Sequence, residues 1–236
     1  MKSITSIYQP DWQGKSLANI DLLMAQLSNS QQINALNWAE QYPVAPNTTF
    51  TLAHTDEMLY VRFEVKGEVP LATKTNDLEL VNEDACVEIF IGDSDNTHYW
   101  NFEFNPAGVC NASHRKERKV DVVRLNPEQL ASIQRYGQQL CAAHWTLLVG
   151  IPLTLIELDL SKEHSRRANL YKCGDKTAMK HYASWNPIEA PAPAFHLPEF
   201  FGEIQFQNTG FRLPVSGFRL LVSGFRLLDP GHQTPK

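Results

Sequence analysis

The sequence predicts a mainly all-β fold, an antiparallel β-sandwich with a short N-terminal helix and minor helical segments. Three observations carry this expectation. From Thr48 onward, apolar residues recur with a period of two, as in strands that bury one face. Turn-forming clusters separate the runs. Clear helical spacing is confined to one early stretch, where Leu17, Ile20, Leu23, Met24 and Leu27 share a face, which predicts an amphipathic helix over 16–27. With 236 residues the chain can bury a sizeable core without disulfides.

After the helix, polar residues 28–32 break the pattern, and Trp38 and Tyr42 are placed to plug the edge of a core. Leu59, Val61, Phe63 and Val65 then alternate with Tyr60, Arg62, Glu64 and Lys66. Ala85, Val87, Ile89 and Ile91 alternate with Asp84, Cys86, Glu88 and Phe90. The turn cluster GDSDNT follows, and beyond it Trp100, Phe102 and Phe104 alternate with Tyr99, Asn101, Glu103 and Asn105. Two alternating runs around such a cluster predict a hairpin with one face on the core and one facing out.

Further strands are predicted over 120–125, 145–151, 168–173, 181–185 and 202–206, with a short helix from Pro127 to about Arg135. Pro187, Pro191, Pro193 and Pro198 make 187–198 a loop. At the C-terminus Gly-Phe-Arg-Leu occurs at 210, 217 and 224. A glycine in every heptad argues against a coiled coil, and three such short units cannot build a solenoid. The expected organisation is a helical segment over 1–36 packing on the domain, a β-sandwich over 37–208 and a repetitive extension over 209–236.

Hydrophobic residues at 43% and charged residues at 20% belong to a folded globular chain rather than a disordered one. The net charge of −5 gives no global basic field for nucleic acid or an anionic membrane, so neither is an expected partner. No apolar run approaches the length of a bilayer span. Residues 1–8 are polar and do not read as a secretory signal. The cytoplasm is therefore the expected location, or an extracellular or periplasmic one for a protein whose leader has been removed. Cys86, Cys110, Cys141 and Cys173 are widely spaced, as expected of free thiols.

Catalytic motifs fail on inspection. Gly14-Lys15-Ser16 resembles the end of a P-loop, but Gln9 stands where its first glycine is required. No nucleophile elbow, zinc-protease helix or dinucleotide fingerprint occurs. Asp93-Ser94-Asp95 reads as a hairpin turn or a calcium site. Glu88 and Glu103 fall on the polar side of neighbouring strands, where pairing would bring them near Arg62 and Asn101. Three readings of this face stay open: a solvated surface, a sugar-binding face, or two carboxylates acting on a glycoside.

At this hairpin the residues become specific. DACVEIFI over 84–91, then Phe102-Glu103-Phe104-Asn105, Asn169-Leu170-Tyr171, Ala183-Ser184-Trp185-Asn186-Pro187 and Phe195-His196-Leu197-Pro198-Glu199-Phe200-Phe201-Gly202, occur in the order found in carbohydrate-binding modules of family nine. The chain resembles that family, and more distantly its DOMON-like, immunoglobulin-like sandwich relatives, over about 37–206. The resemblance implies a non-catalytic module that binds sugar chain ends, no organic cofactor, structural calcium in some members, and a possible glycoside hydrolase partner. It implies a slot in which two tryptophans clamp a sugar ring while polar groups hold its hydroxyls.

Carried over, Glu88 keeps the family's carboxylate, and Glu103 stands where the family has an arginine. No aromatic lies near Val81 and Asn82, where one clamp would fall, and Phe195 stands at the other. The implied sugar-binding residues are Glu88, Glu103, Phe195, Trp185, Asn101, Tyr171 and Arg62, with no catalytic residue. The alternatives are an interaction or structural sandwich that has lost the slot, a heme- or ligand-binding relative, and a glycoside-active enzyme using Glu88 and Glu103.

Overall fold

The computed structural model describes residues 1–207. The repetitive extension expected over 209–236 lies outside the described residues.

Two sheets face each other across a single apolar core. The strands are β1 (Ser3–Tyr8), β2 (Gln31–Gln32), β3 (Asn47–His54), β4 (Met58–Lys66), β5 (Cys86–Gly92), β6 (Tyr99–Phe104) and β7 (Cys110–Arg115). They continue as β8 (Val123–Arg124), β9 (Gln134–Cys141), β10 (His144–Pro152), β11 (Ser165–Cys173), β12 (Tyr182–Ser184) and β13 (Gly202–Phe206). The helices are α1 (Leu17–Met24) and α2 (Pro127–Ser132). One sheet runs β8-β7-β6-β5-β11-β13-β1, with β12 continuing the β13 side of β11. The other runs β1-β3-β4-β10-β9, with β2 on β3.

The alternation read from the sequence becomes the core. Val87, Ile89 and Ile91 of β5 and Trp100, Phe102 and Phe104 of β6 meet Leu59, Val61, Phe63 and Val65 of β4 in one buried cluster. Burying so many large apolar side chains, at about 1.5–3 kcal/mol each, is what sets the strand register. The predicted hairpin forms, and Asp93 caps its turn by accepting from the His98 backbone N–H at 3.1 Å.

The antiparallel rule has one exception. β1 runs parallel to both of its neighbours. Its first half pairs with β13, from Ser3 opposite Glu203 to Ser6 opposite Phe206, and Ile7 and Tyr8 pair with Ala53 and His54 of β3. The N-terminal segment expected to be helical thus also supplies a strand shared by the two sheets. Its polar composition concealed this: only Ile4 joins the main core, while Ser6 is buried against His54 at 3.0 Å.

α1 begins one residue after Ser16, whose side chain accepts from the Asn19 N–H, an N-cap worth about 1 kcal/mol. It covers the outer face of the second sheet through Ile20 and Met24, packed with Trp12, Tyr60 and Leu148. α2 is fixed by a capping box between Asn126 and Gln129 and ends at Ser132. The chain then enters β9, an edge strand of exposed polar residues that carries no apolar alternation. Among the described residues no helix is long and apolar enough to cross a membrane.

A candidate ligand cavity on the outer face of the first sheet

Alternation sends Glu88 of β5 and Glu103 of β6 to the face opposite the core, where they stand directly across from each other in the ladder. This face is not open to water over its whole extent. The proline-rich loop 187–198 folds back across it, held by three distant contacts. Trp38 donates its indole N–H to the Ala190 carbonyl at 2.8 Å, the Ile188 N–H reaches Asn37 at 2.8 Å, and the Tyr171 hydroxyl donates to the Phe195 carbonyl at 3.1 Å. Beneath the loop lies a second apolar cluster that includes Phe90, Tyr99, Tyr171, Ile188 and Phe195.

Beside the loop a cavity of about 470 Å³ remains, within the roughly 300–1,000 Å³ typical of small-ligand sites. Glu88, Glu103 and Cys173 form its floor. One wall is the loop at Pro193–His196 and another is the turn bearing Leu80 and Asn82. A third is the β7–β8 hairpin, with Asn111, Arg115, Arg118, Lys119 and Arg124.

The floor is built by hydrogen bonds. Asn101 donates to Glu103 at 2.9 Å and Asn111 donates to its other oxygen at 3.0 Å. Ser113 donates to Asn101 at 2.6 Å, and Arg115 donates to Ser113 at 2.9 Å. Glu88 accepts from the Cys173 thiol at 3.1 Å. Burial pushes the Glu88 carboxyl well above its ordinary value, helped by the neighbouring Cys173 and Glu103. Burial raises Glu103 too, opposed by its bond from Asn111 and by Arg115. The floor thus presents carboxyl oxygens held in fixed orientation by amide, hydroxyl and thiol donors.

Sugar recognition needs such donors and acceptors, but the aromatic part of the expectation changes. Phe195 touches the cavity yet is only 9% exposed, because it packs on Tyr171, Trp38 and Tyr182. It is a packed wall rather than an open stacking platform. Asn82, where a clamp tryptophan was sought, donates to Asp175 at 2.8 Å.

The expected residues therefore divide by place. Glu88, Glu103 and Phe195 line the cavity. Asn101 and Tyr171 stand behind it, orienting Glu103 and the loop. Two expectations are corrected. Trp185 is wholly buried, edge-on to Phe50 in the main core, because the bend just past β12, tied by the Trp185 N–H to the Leu170 carbonyl at 2.8 Å, turns it inward. Arg62 lies on the other sheet, 2.8 Å from Asp21 of α1, since β4 pairs with β3 and β10 rather than with the hairpin.

The basic wall was missed from the sequence. Arg118 and Lys119 sit in a hairpin turn, Arg115 ends β7 and Arg124 falls in the strand predicted over 120–125, but no local pattern set these four charges beside the Glu103 face. Asn111 was likewise hidden, although its place opposite Glu103 follows from the β6–β7 register.

Asp93 and Asp95 are engaged by backbone N–H groups of their own turn, from His98 and Thr97. Cys86, Glu88 and Cys173 bring three ligand atoms within 4.8 Å of one another, but two are thiols and calcium takes hard oxygens. All four cysteines are free.

Comparison with known proteins agrees with this fold. The model of the family described as carbohydrate-binding family 9 matches residues 18–206. A candidate carbohydrate-binding protein from Bacteroides uniformis superposes with a TM-score of 0.79 at 27% identity, covering 87% of this chain and 99% of its own. A family 9 module from Caldicellulosiruptor kristjanssonii in complex with glucose gives 0.60 at 14% identity, covering 88% of this chain and 96% of its own. The same organism's family 9 module in complex with cellotriose gives 0.60 at 13% identity, covering 88% and 94%. No curated protein matches the chain.

Proposed function

The chain belongs to carbohydrate-binding family 9, and on that premise we propose that it binds a carbohydrate, without transforming it, in the cavity over Glu88 and Glu103. The observation that carries the reading is the cavity itself: a concave site of sugar size whose floor is a network of carboxyls and amides. Such groups exchange hydrogen bonds with hydroxyls, and a buried network holds them in place before the ligand arrives. Glu103, fixed from both sides by Asn101 and Asn111, is the residue we assign to accept from sugar hydroxyls. Phe195 and Tyr182 border the same space and offer apolar edge to the ring.

The arrangement argues against glycoside cleavage. Acid–base pairs in glycosidases flank the scissile bond. Glu88 and Glu103 are cross-strand neighbours on one floor, so both approach a ligand from the same side.

Calorimetry against a panel of mono- and oligosaccharides, beginning with glucose and cellotriose, tests the reading. Saturable binding without product release is expected, and Glu103→Ala should weaken it about tenfold through loss of a charge-assisted hydrogen bond. Silence across the panel would instead favour a sandwich that serves protein interaction. Reducing-sugar release abolished by Glu88→Gln would establish an enzyme.

A further inference from the structure

The whole chain carries a net charge of −5, yet four cations gather on one wall of the cavity: Arg115, Arg118, Lys119 and Arg124. Among the described residues none of the four lies within ion-pairing distance of a carboxylate, whereas Arg62, Arg135 and Arg166 each have one. The recorded partners of the wall are neutral. Arg115 bonds to the Ser113 hydroxyl and the Arg118 carbonyl, and Arg124 to the Leu78 carbonyl at 3.1 Å. The carboxyls lining the cavity are engaged elsewhere: Glu103 by two amides, Glu88 by a thiol, and Asp175 by Asn82 and Tyr182.

A cationic wall without a carboxylate ion pair, in an otherwise acidic protein, is a recognition element for an anion. Glu117 and Asp121 share the hairpin, but its balance is positive, Arg118 and Arg124 repel Arg115, and a ligand carrying the opposite charge relieves that cost. Arginine suits the task, because its planar fork meets a carboxylate, sulfate or phosphate through two parallel hydrogen bonds. The floor remains suited to hydroxyls, so the cavity joins two chemistries, one side for polyol and one for anion.

Resting on the carbohydrate reading above, we propose that the ligand of this cavity is an acidic sugar, its ring hydroxyls on the Glu88–Glu103 floor and its anionic group against Arg115, Arg118 and Arg124.

Calorimetry with matched pairs tests this: glucuronic acid against glucose and galacturonic acid against galactose, with their short oligomers. Glucose 6-sulfate and glucose 6-phosphate form separate arms that tell a carboxylate from the other anions. The acidic member is expected to bind at least about tenfold more tightly at low salt, the factor for one charge-assisted hydrogen bond. The advantage should shrink as salt screens the wall. It should fall several-fold in the Arg118→Gln, Arg124→Gln double variant, which keeps Arg115 and Lys119; the changed residues are exposed and the melting temperature serves as the folding control. Neutral sugars binding as tightly as their acidic partners, or a preference undiminished in the double variant, would overturn the inference and leave the carbohydrate reading intact. No binding by either member of any pair would overturn both.

Discussion

The ring of Phe195 lies flat against that of Tyr171, with centroids 4.3 Å apart and planes inclined by 11°. The Tyr171 hydroxyl also holds the Phe195 backbone carbonyl, so one tyrosine fixes both the ring and the chain of the covering loop. Phe195→Ala should therefore cost about 3 kcal/mol, as other buried aromatic truncations do. That corresponds to a fall in melting temperature of roughly 6–12 °C for a chain of this size. Ligand affinity should drop with it, because the loop is a wall of the cavity. Calorimetric melting checks the first part, and an unchanged melting temperature would make the ring a free platform after all.

Glu88 should make the protein less stable as the medium becomes alkaline. Its carboxyl is held above its ordinary value of 4.5 in the folded state, first by burial, so the folded protein keeps a proton that the unfolded chain releases. Stability is then lost as pH rises from about 4.5 through the raised value. Glu88→Gln removes this dependence while keeping an acceptor for Cys173. The variant should melt higher than the parent at pH 8 and show a smaller drop between pH 5 and 8. Melting curves at the two pH values decide, and a variant less stable at pH 8 would contradict the assignment.

Acid should destabilise the fold through buried histidines of opposite behaviour. Burial lowers His54 from 6.5 to about 4, and it lowers His181 and His196 to about 3. These rings stay neutral in the fold while the unfolded chain takes up protons, so stability present above pH 6.5 is lost as pH falls through the depressed values. A drop in melting temperature of about 5 °C or more is expected between pH 7 and 4.5. His54→Gln, which retains a partner for Ser6, should flatten part of that slope. An identical slope in the variant would remove His54 from the account.

Arg62 and Asp21 form a buried ion pair between β4 and α1, 2.8 Å apart. Asp21→Ala leaves the guanidinium 8% exposed with Glu64 as its remaining carboxylate partner, and should cost about 3 kcal/mol. Because this pair sits on the far sheet, ligand affinity measured below the melting transition should be unchanged. Affinity falling in step with stability would mean that the two outer faces are coupled.

These outcomes also show what the sequence disclosed. The β5–β6 hairpin was legible because burial writes itself as alternation: each second residue from Val87 to Ile91 and from Trp100 to Phe104 had to be apolar. That same alternation put Glu88 and Glu103 on one face. The loop 187–198 was legible as a loop from its prolines, but its path over Glu88 depends on Asn37, Trp38 and Tyr171, far away in sequence, and no local pattern encodes such contacts. Phe195 therefore read as exposed when it is packed. The basic wall escaped because no local pattern set its charges beside the Glu103 face, and β1 escaped because a strand can be seated by backbone pairing and a Ser6–His54 bond with few apolar residues.

β1 gives the molecule an unusual dependence on its first eight residues. Trimming them would leave β13 and β3 with bare ladders on the same side of the domain, two adjacent docking slots for any passing extended peptide. Self-association or capture of a neighbour's N-terminal arm would then compete with solubility, so affinity tags belong ahead of an intact β1, never in its place.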